Sequence, residues 1–233
     1  MAERPIFVPS RDAPGFVREI PFTIPWASGF APVQKKKNIK ALHAAAAING
    51  LAPLLEISTK SDELAGQRLS AFYLKIHSEI GEIPMECAYQ GGKVFEKGGP
   101  YTDLYTVDPR EAKRDTRLRN SGRLVRFEFG GHKFPLQPPT VFYDWLYMCA
   151  IYPHRGWLID RLTHKVCYAG FTDIEFNPRR SINCQARSCA LFIVLMQDGL
   201  LDDAVRSPES FIAIMKQHTK PRIGRTTEQQ LSL

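Results

Sequence analysis

The chain has 233 residues, 44% of them hydrophobic and 24% charged, which is ordinary for a globular protein with a sizeable buried core and argues against disorder away from the ends. Its 31 lysines and arginines against 24 aspartates and glutamates leave a formal charge of +7, suited to an anionic partner such as nucleic acid or a phosphorylated ligand. Five cysteines without a CxxC spacing argue against a disulfide framework and a zinc site. The opening MAERPIFVPS does not read as a secretion signal and no apolar run approaches about 18 residues, so a cytoplasmic protein with free thiols and no membrane partner is expected.

Residues 1–25 alternate short β-rich runs with proline and read as edge strands or an extended N-terminal arm. Gln34 to Asn49 reads as an alanine-rich helix stopped by Gly50 at C′. Leu54–Ser58 and Leu69–Ile76 alternate like strands. Pro84 suits the first turn of a helix, and Glu86, Gln90 and Lys93 then fall at i, i+4 and i+7 on one face, with Met85, Ala88, Gly92 and Phe95 opposite. Such a stripe would face solvent or a cleft; a carboxylate and an amine there suit acid, base or nucleophilic work, and equally a solvated ion-pair stripe. Gly91 and Gly92 imply close approach of a backbone or ligand, or an early helix end.

Gly98-Gly99-Pro100 breaks the chain before a charged helix near Pro109–Arg119. Arg123–Phe129 and His132–Leu136 read as a hairpin through Gly130-Gly131, a pair that supplies the positive φ of a tight turn. Thr140–Ala150 is an aromatic-rich helix, and Ile182–Leu200 is expected to be the longest helix and the centre of the core. Ser207-Pro208 caps a last helix reaching about His218, and residues 219–233 form a polar tail expected to fray. The expectation is a single α+β domain over residues 1–233, helix-dominated, with one small sheet built from the arm, the strand before Glu86 and the glycine hairpin.

The ordered set Leu69, Ser70, Phe72, then Glu86, Gln90, Lys93, then Ala112-Lys113-Arg114, Asp144-Trp145, Asp173 and Asn183 resembles the NADAR (YbiA-like) family over more than half the chain. The segments Trp26–Ala46, Pro53–Ser61, Gly98–Tyr105 and Phe171–Phe192 resemble one branch of it, the antitoxins encoded beside DarT-type DNA ADP-ribosyltransferase toxins. Ile174-Glu175-Phe176-Asn177 stands where the wider family has an aromatic Trp-Gly.

This resemblance implies a NADAR fold and an N-glycosidase that removes ADP-ribose from guanine in DNA, with ADP-ribose as product, no cofactor, and a cognate DarT-type toxin as functional partner. Breaking such a bond builds positive charge on the anomeric carbon and leaves electrons on a base nitrogen, so a carboxylate near the ribose and a proton source are needed. Glu86 is the first choice for the carboxylate. Lys93 is the candidate amine for a Schiff-base route, with Lys37 and Lys60 as competitors.

Lys113 and Arg114, with Arg117 and Arg119 beyond, are candidates for the pyrophosphate. Trp145 is either a stacking wall for base or ribose or a core residue, and Asp173 a partner for ribose hydroxyls or a water. Ser70, Phe72, Gln90 and Asn183 complete the expected substrate contacts, Asn183 and Gln185 being equally able to act as capping groups. No histidine stands at ligand spacing beside Asp173, so no metal is expected, and no GxGxxG or P-loop occurs. Two alternatives stay open: a glycosidase acting on a free nucleotide or riboflavin-pathway metabolite, and a non-catalytic antitoxin that blocks its toxin by binding.

Overall fold

The computed structural model describes residues 1–218, and they form an α+β fold divided into two compact units. The first unit comprises Met1–Ser70, His154–Pro178 and Cys184–Leu201; the second comprises Ala71–Pro153, Arg179–Asn183 and the chain from Asp202. The tail from Thr219, expected to fray, lies outside the described residues.

In chain order the first unit begins with β1 (Ala2–Pro9), β2 (Val17–Ile24), α1 (Pro32–Ile48), β3 (Leu54–Glu56) and α2 (Leu64–Arg68). The second unit follows with β4 (Lys75–Ser78), β5 (Gly81–Pro84), α3 (Met85–Gly91), β6 (Lys93–Phe95), α4 (Pro109–Arg114), α5 (Arg117–Asn120), β7 (Leu124–Phe129), β8 (His132–Phe134) and α6 (Val141–Ile151). The chain returns to the first unit for α7 (Arg155–Ile159), a π-helical turn at Asp160–Lys165, β9 (Gly170–Thr172) and α8 (Gln185–Gln197). It ends with α9 (Leu201–Arg206) and α10 (Pro208–Gln217).

In the first unit the N-terminal residues form a hairpin, the strand alternative of the two expected, with β2 at the sheet edge. β1 and β2 pair antiparallel from Ala2 opposite Ile24 to Pro9 opposite Val17, in a four-stranded sheet of order β2-β1-β9-β3. The apolar positions of the hairpin explain this: Ile6, Val8 and Ile24 join Ile39, Leu42 and Ala46 of α1 in one buried cluster with Leu54 and Ile174. β9 pairs parallel with β3, Leu54 opposite Gly170 to Glu56 opposite Thr172.

α1 stops as its sequence dictates. Gly50 at φ +75° lets its N–H reach Ala47 O (3.0 Å) and that of Leu51 reach Ala46 O (3.0 Å), the paired bonds of a Schellman C-cap. α1, at 17 residues, exceeds the 13 of α8, which was expected to be the longest helix. α8 is nonetheless buried along Ala186 and Ser188–Leu195 and packs on β1.

The second unit has two sheets, so the single small sheet expected from sequence is also corrected. β4 and β5 form one hairpin; β6, β7 and β8 form the other sheet, in that order. Gly130 (φ +56°) and Gly131 (φ +77°) make the two-residue turn between β7 and β8, closing Phe129 opposite His132. α3 and α6 pack together, and Tyr89, Phe127, Phe134 and Phe142 stack where they meet the sheet, with Phe127 and Phe142 at 4.6 Å between ring centroids.

Only Lys75 and Ile76 of the strand expected over Leu69–Ile76 belong to β4; Leu69–Tyr73 form a turn after α2. Leu69, Ala71 and Leu74 are buried in irregular backbone, so the apolar residues of this stretch imitate a strand only in part. The helix expected over Pro109–Arg119 breaks at Asp115, where that carboxylate turns back to accept from Arg117 N (2.8 Å).

Candidate active site

The candidate site lies in the second unit and is organised by α3. Pro84 closes β5 opposite Lys75 and immediately precedes the helix, and Met85 N donates to Leu74 O (2.9 Å), fixing where α3 starts. The helix is one turn shorter than the residue spacing suggested. It ends at Gly91, and Lys93 is the first residue of β6, opposite Phe127.

The two glycines at this junction are explained by space. A Cβ on Gly91 would stand 2.6 Å from the Tyr105 ring, and one on Gly92 would stand 2.8 Å from Phe142 Cζ and 2.9 Å from Glu128 O. Gly92 O in turn accepts from Glu128 N (2.7 Å), so the helix passes into the sheet without a loop.

The expected solvent-facing stripe is buried. Glu86, Gln90 and Lys93 are 5%, 5% and 9% exposed. Glu86 Oε1 accepts from Gln90 Nε2 (2.9 Å) one turn along α3, and Lys113 Nζ, carried by α4, stands 3.7 Å from the same oxygen. Lys113 also lies over the Phe72 ring at 5.5 Å, which brings Phe72, Lys113, Glu86 and Gln90 into one cluster.

Lys93 Nζ sits 4.9 Å from the centroid of Tyr89, whose hydroxyl accepts from Asn183 Nδ2 (2.6 Å). Because Nε2 of Gln90 donates to a carboxylate, the amide is oriented by charge and its Oε1 points elsewhere. Gln90 Oε1 and Asn183 Oδ1 are buried acceptors with no hydrogen-bond partner among the described residues.

The electrostatics follow from burial. Desolvation holds the Lys93 ammonium down to about 8, the nearby Lys113 charge pushes the same way, and Glu86 opposes both. The Tyr89 hydroxyl is driven far above its ordinary range by burial and by Glu86, so it stays neutral. One carboxylate facing two ammonium groups leaves the protonated cluster with an excess positive charge, and Lys93 can shed its proton near neutrality.

The other candidates fall as follows. Arg114 is exposed and makes no ion pair among the described residues. Arg117 is taken by Asp103 (2.6 Å) and Asp115 (2.8 Å) and lies over Tyr101, which leaves it a structural clamp. Trp145 is 9% exposed and packs on Phe134 (5.1 Å) and Phe129 (6.5 Å), with Nε1 unpartnered among the described residues. Lys37 and Lys60 belong to the first unit, Lys37 exposed on α1 and Lys60 half-buried in the turn after β3.

Ser70 and Asp173 also belong to the first unit. Ser70 is fully buried in the turn after α2, with its N–H on Gln67 O (3.0 Å). Asp173 belongs to a polar cluster that sequence reading missed. Glu56, 2% exposed, accepts from Ser58 Oγ (2.7 Å), Thr172 Oγ1 (2.6 Å) and Ile174 N (2.9 Å), and His43 Nε2 meets Thr172 Oγ1 (2.9 Å). Asp173 accepts from Glu175 N (3.0 Å). Burial and then the charge of Glu56 push Asp173 well above the usual carboxylate range, and burial raises Glu56 as well. The available signal was a lone acid in the apolar run Leu54-Leu55-Glu56-Ile57.

A sequence profile of the DarT1-associated NADAR antitoxins matches residues 2–224. The chain belongs to this family. Comparison with curated proteins returns no match. In this NADAR antitoxin, Glu86, Gln90 and Lys93 meet at one helix-to-strand junction, and among the described residues no helix is long and apolar enough to cross a membrane.

Proposed function

We propose that this NADAR antitoxin is an N-glycosidase that removes ADP-ribose from guanine in DNA, reversing the modification made by a DarT-type toxin. The observation that carries the reading is the buried Lys93, an amine held near neutrality in the same cluster as the buried carboxylate of Glu86. An amine that only decorated a surface would have neither the desolvation nor the neighbour.

In this reading Glu86 stabilises the positive charge that develops at the anomeric carbon. The neutral Lys93 amine attacks that carbon as the bond to the guanine nitrogen breaks, and the proton lost from the attacking nitrogen is relayed to the departing base. The nitrogen lone pair then expels the ring oxygen, which takes a proton as the C1–O4 bond breaks, and a protonated Schiff base with a free sugar hydroxyl results. Water then adds to it, the C–N bond to Lys93 breaks, and ADP-ribose leaves with the lysine regenerated.

Gln90 Oε1 and Asn183 Oδ1 are the acceptors available for substrate hydroxyl or N–H donors. Lys113, with Arg114 beside it on α4, offers cationic charge to the pyrophosphate. Trp145, in the same unit, keeps its place in the proposal as a substrate contact.

The test is incubation with guanine-ADP-ribosylated DNA, following release of labelled ADP-ribose. Wild-type protein is expected to release it, and Glu86→Gln, close in shape and still able to meet Gln90, is expected to be slower by about 10²–10⁴-fold. Retained label together with a stable toxin complex would instead establish an antitoxin that acts by binding. Equal turnover in Glu86→Gln would remove Glu86 from the mechanism.

A further inference from the structure

Residues 25–31, which lead from β2 into α1, are braced at two points. Asn38, 1% exposed, accepts from Ala27 N (2.8 Å) and donates to Ala27 O (3.0 Å), holding that residue's backbone from both sides. The Arg4 guanidinium lies over the Trp26 ring at 4.3 Å. Gly29 adopts φ +113°, a conformation that side-chain-bearing residues rarely take. Out of this braced loop stands Phe30, 97% exposed, followed by the exposed Val33 in the first turn of α1. A phenyl ring in water on a frayed tip means little; this one stands between Ala27, whose backbone Asn38 holds, and Ala31, whose carbonyl accepts from Gln34 N (2.9 Å) as α1 begins.

Lys36, Lys37 and Lys40 follow on α1, all exposed and spaced three and four residues apart, so that they share a face with Val33. The first turn of α1 carries no acidic residue, so no side chain there offsets the positive end of the helix dipole. Lys36 meets Asp62 at 2.5 Å, whereas Lys37 and Lys40 make no ion pair among the described residues. Four cations in the stretch from Lys35 to Lys40, two of them paired with a carboxylate, Lys35 with Glu175 (3.4 Å) and Lys36 with Asp62, are a poor match for an apolar protein surface and a good one for a row of phosphates.

We propose that Phe30 and the Lys36, Lys37 and Lys40 stripe form a grip for an unpaired DNA strand, the ring stacking on one base while the lysines meet flanking phosphates. An aromatic platform beside a basic track is the arrangement that binds single strands without reading sequence. The proposal deepens the reading of DNA as the substrate and rests on it for its biological sense. It does not need the glycosidase chemistry for its test.

Fluorescence anisotropy with a labelled, unmodified single-stranded oligonucleotide measures the grip alone. Phe30→Ala is expected to weaken binding about tenfold. The double variant Lys36→Ala, Lys40→Ala, which keeps the competing amine Lys37 in place, is expected to reduce the slope of log affinity against log salt by about 1.4, that is, about 0.7 for each phosphate that a lysine no longer neutralises. Both variants should keep wild-type turnover of ADP-ribosylated guanosine, which has no strand to hold, and that turnover also reports that they are folded.

Unchanged affinity and salt slope in both variants, or no oligonucleotide binding by the wild type, would overturn the grip. Loss of toxin binding in Phe30→Ala with oligonucleotide affinity intact would overturn it in favour of a protein interface. Absence of turnover in all three proteins would defeat the glycosidase reading, while the grip would still be decided by the oligonucleotide data.

Discussion

Lys93 shows how burial changes what a common side chain can do. An exposed lysine is almost wholly protonated near neutral pH, but Lys93 at about 8 has a usable fraction of free amine there. If that free amine is the nucleophile, kcat/KM should rise with pH through a limb near 8. Lys113 lowers the Lys93 value by repulsion, so Lys113→Gln should move the limb to higher pH. A pH–rate profile of the two proteins checks both sign and origin; a limb that stays in place in Lys113→Gln would separate Lys113 from the tuning of the amine. The residue types and their order were legible in the sequence. Their burial was not, because helical spacing alone suits a stripe that faces solvent equally well.

At the scale of elements, the legible parts were those with local chemistry of their own. The Gly130-Gly131 turn, the Gly50 cap of α1 and the Ser207-Pro208 start of α10 each took the expected form, Ser207 Oγ accepting from Ser210 N at 3.1 Å. The elements misread were those decided by distant packing. Lys93 continues the helical spacing of Glu86 and Gln90, yet the chain leaves the helix at Gly91 and pairs with β7, at a junction where Tyr105 and Phe142 leave no room for a side chain on Gly91 or Gly92. This predicts that Gly92→Ala, at ordinary φ but without room, destabilises the protein by about 1–3 kcal/mol and lowers turnover by shifting Lys93 relative to Glu86. Denaturant unfolding and steady-state kinetics check the two halves; wild-type values for both would mean that Phe142 yields easily.

Across the whole molecule, stability should carry the signature of the Glu56 and Asp173 pair. Both carboxyls are raised in the folded state, so the folded chain keeps a proton that the unfolded chain releases in the ordinary carboxylate range. The contribution is full below that range and is lost as pH rises through the folded values. Thermal melts should therefore show stability falling from mildly acidic toward alkaline pH, with a shallower fall in Asp173→Asn, which leaves Glu56 without its charged neighbour. Identical slopes in the two proteins would mean that the pair does not share its burden in this way. The α+β class and the antitoxin family were readable from ordered motifs spread over the chain, whereas this pair was not, since its members are 117 positions apart and meet only through the parallel pairing of β3 with β9. In the proposed reaction the buried Lys93 is the group that meets the anomeric carbon. Its most direct test is mass spectrometry after incubation with guanine-ADP-ribosylated DNA and borohydride, which reduces a Schiff base to a stable amine. An ADP-ribose adduct is expected on the peptide containing Lys93 and is expected to be absent in Lys93→Ala; release of ADP-ribose with no adduct there, or an adduct on Lys37 or Lys60, would show that Lys93 is not the nucleophile.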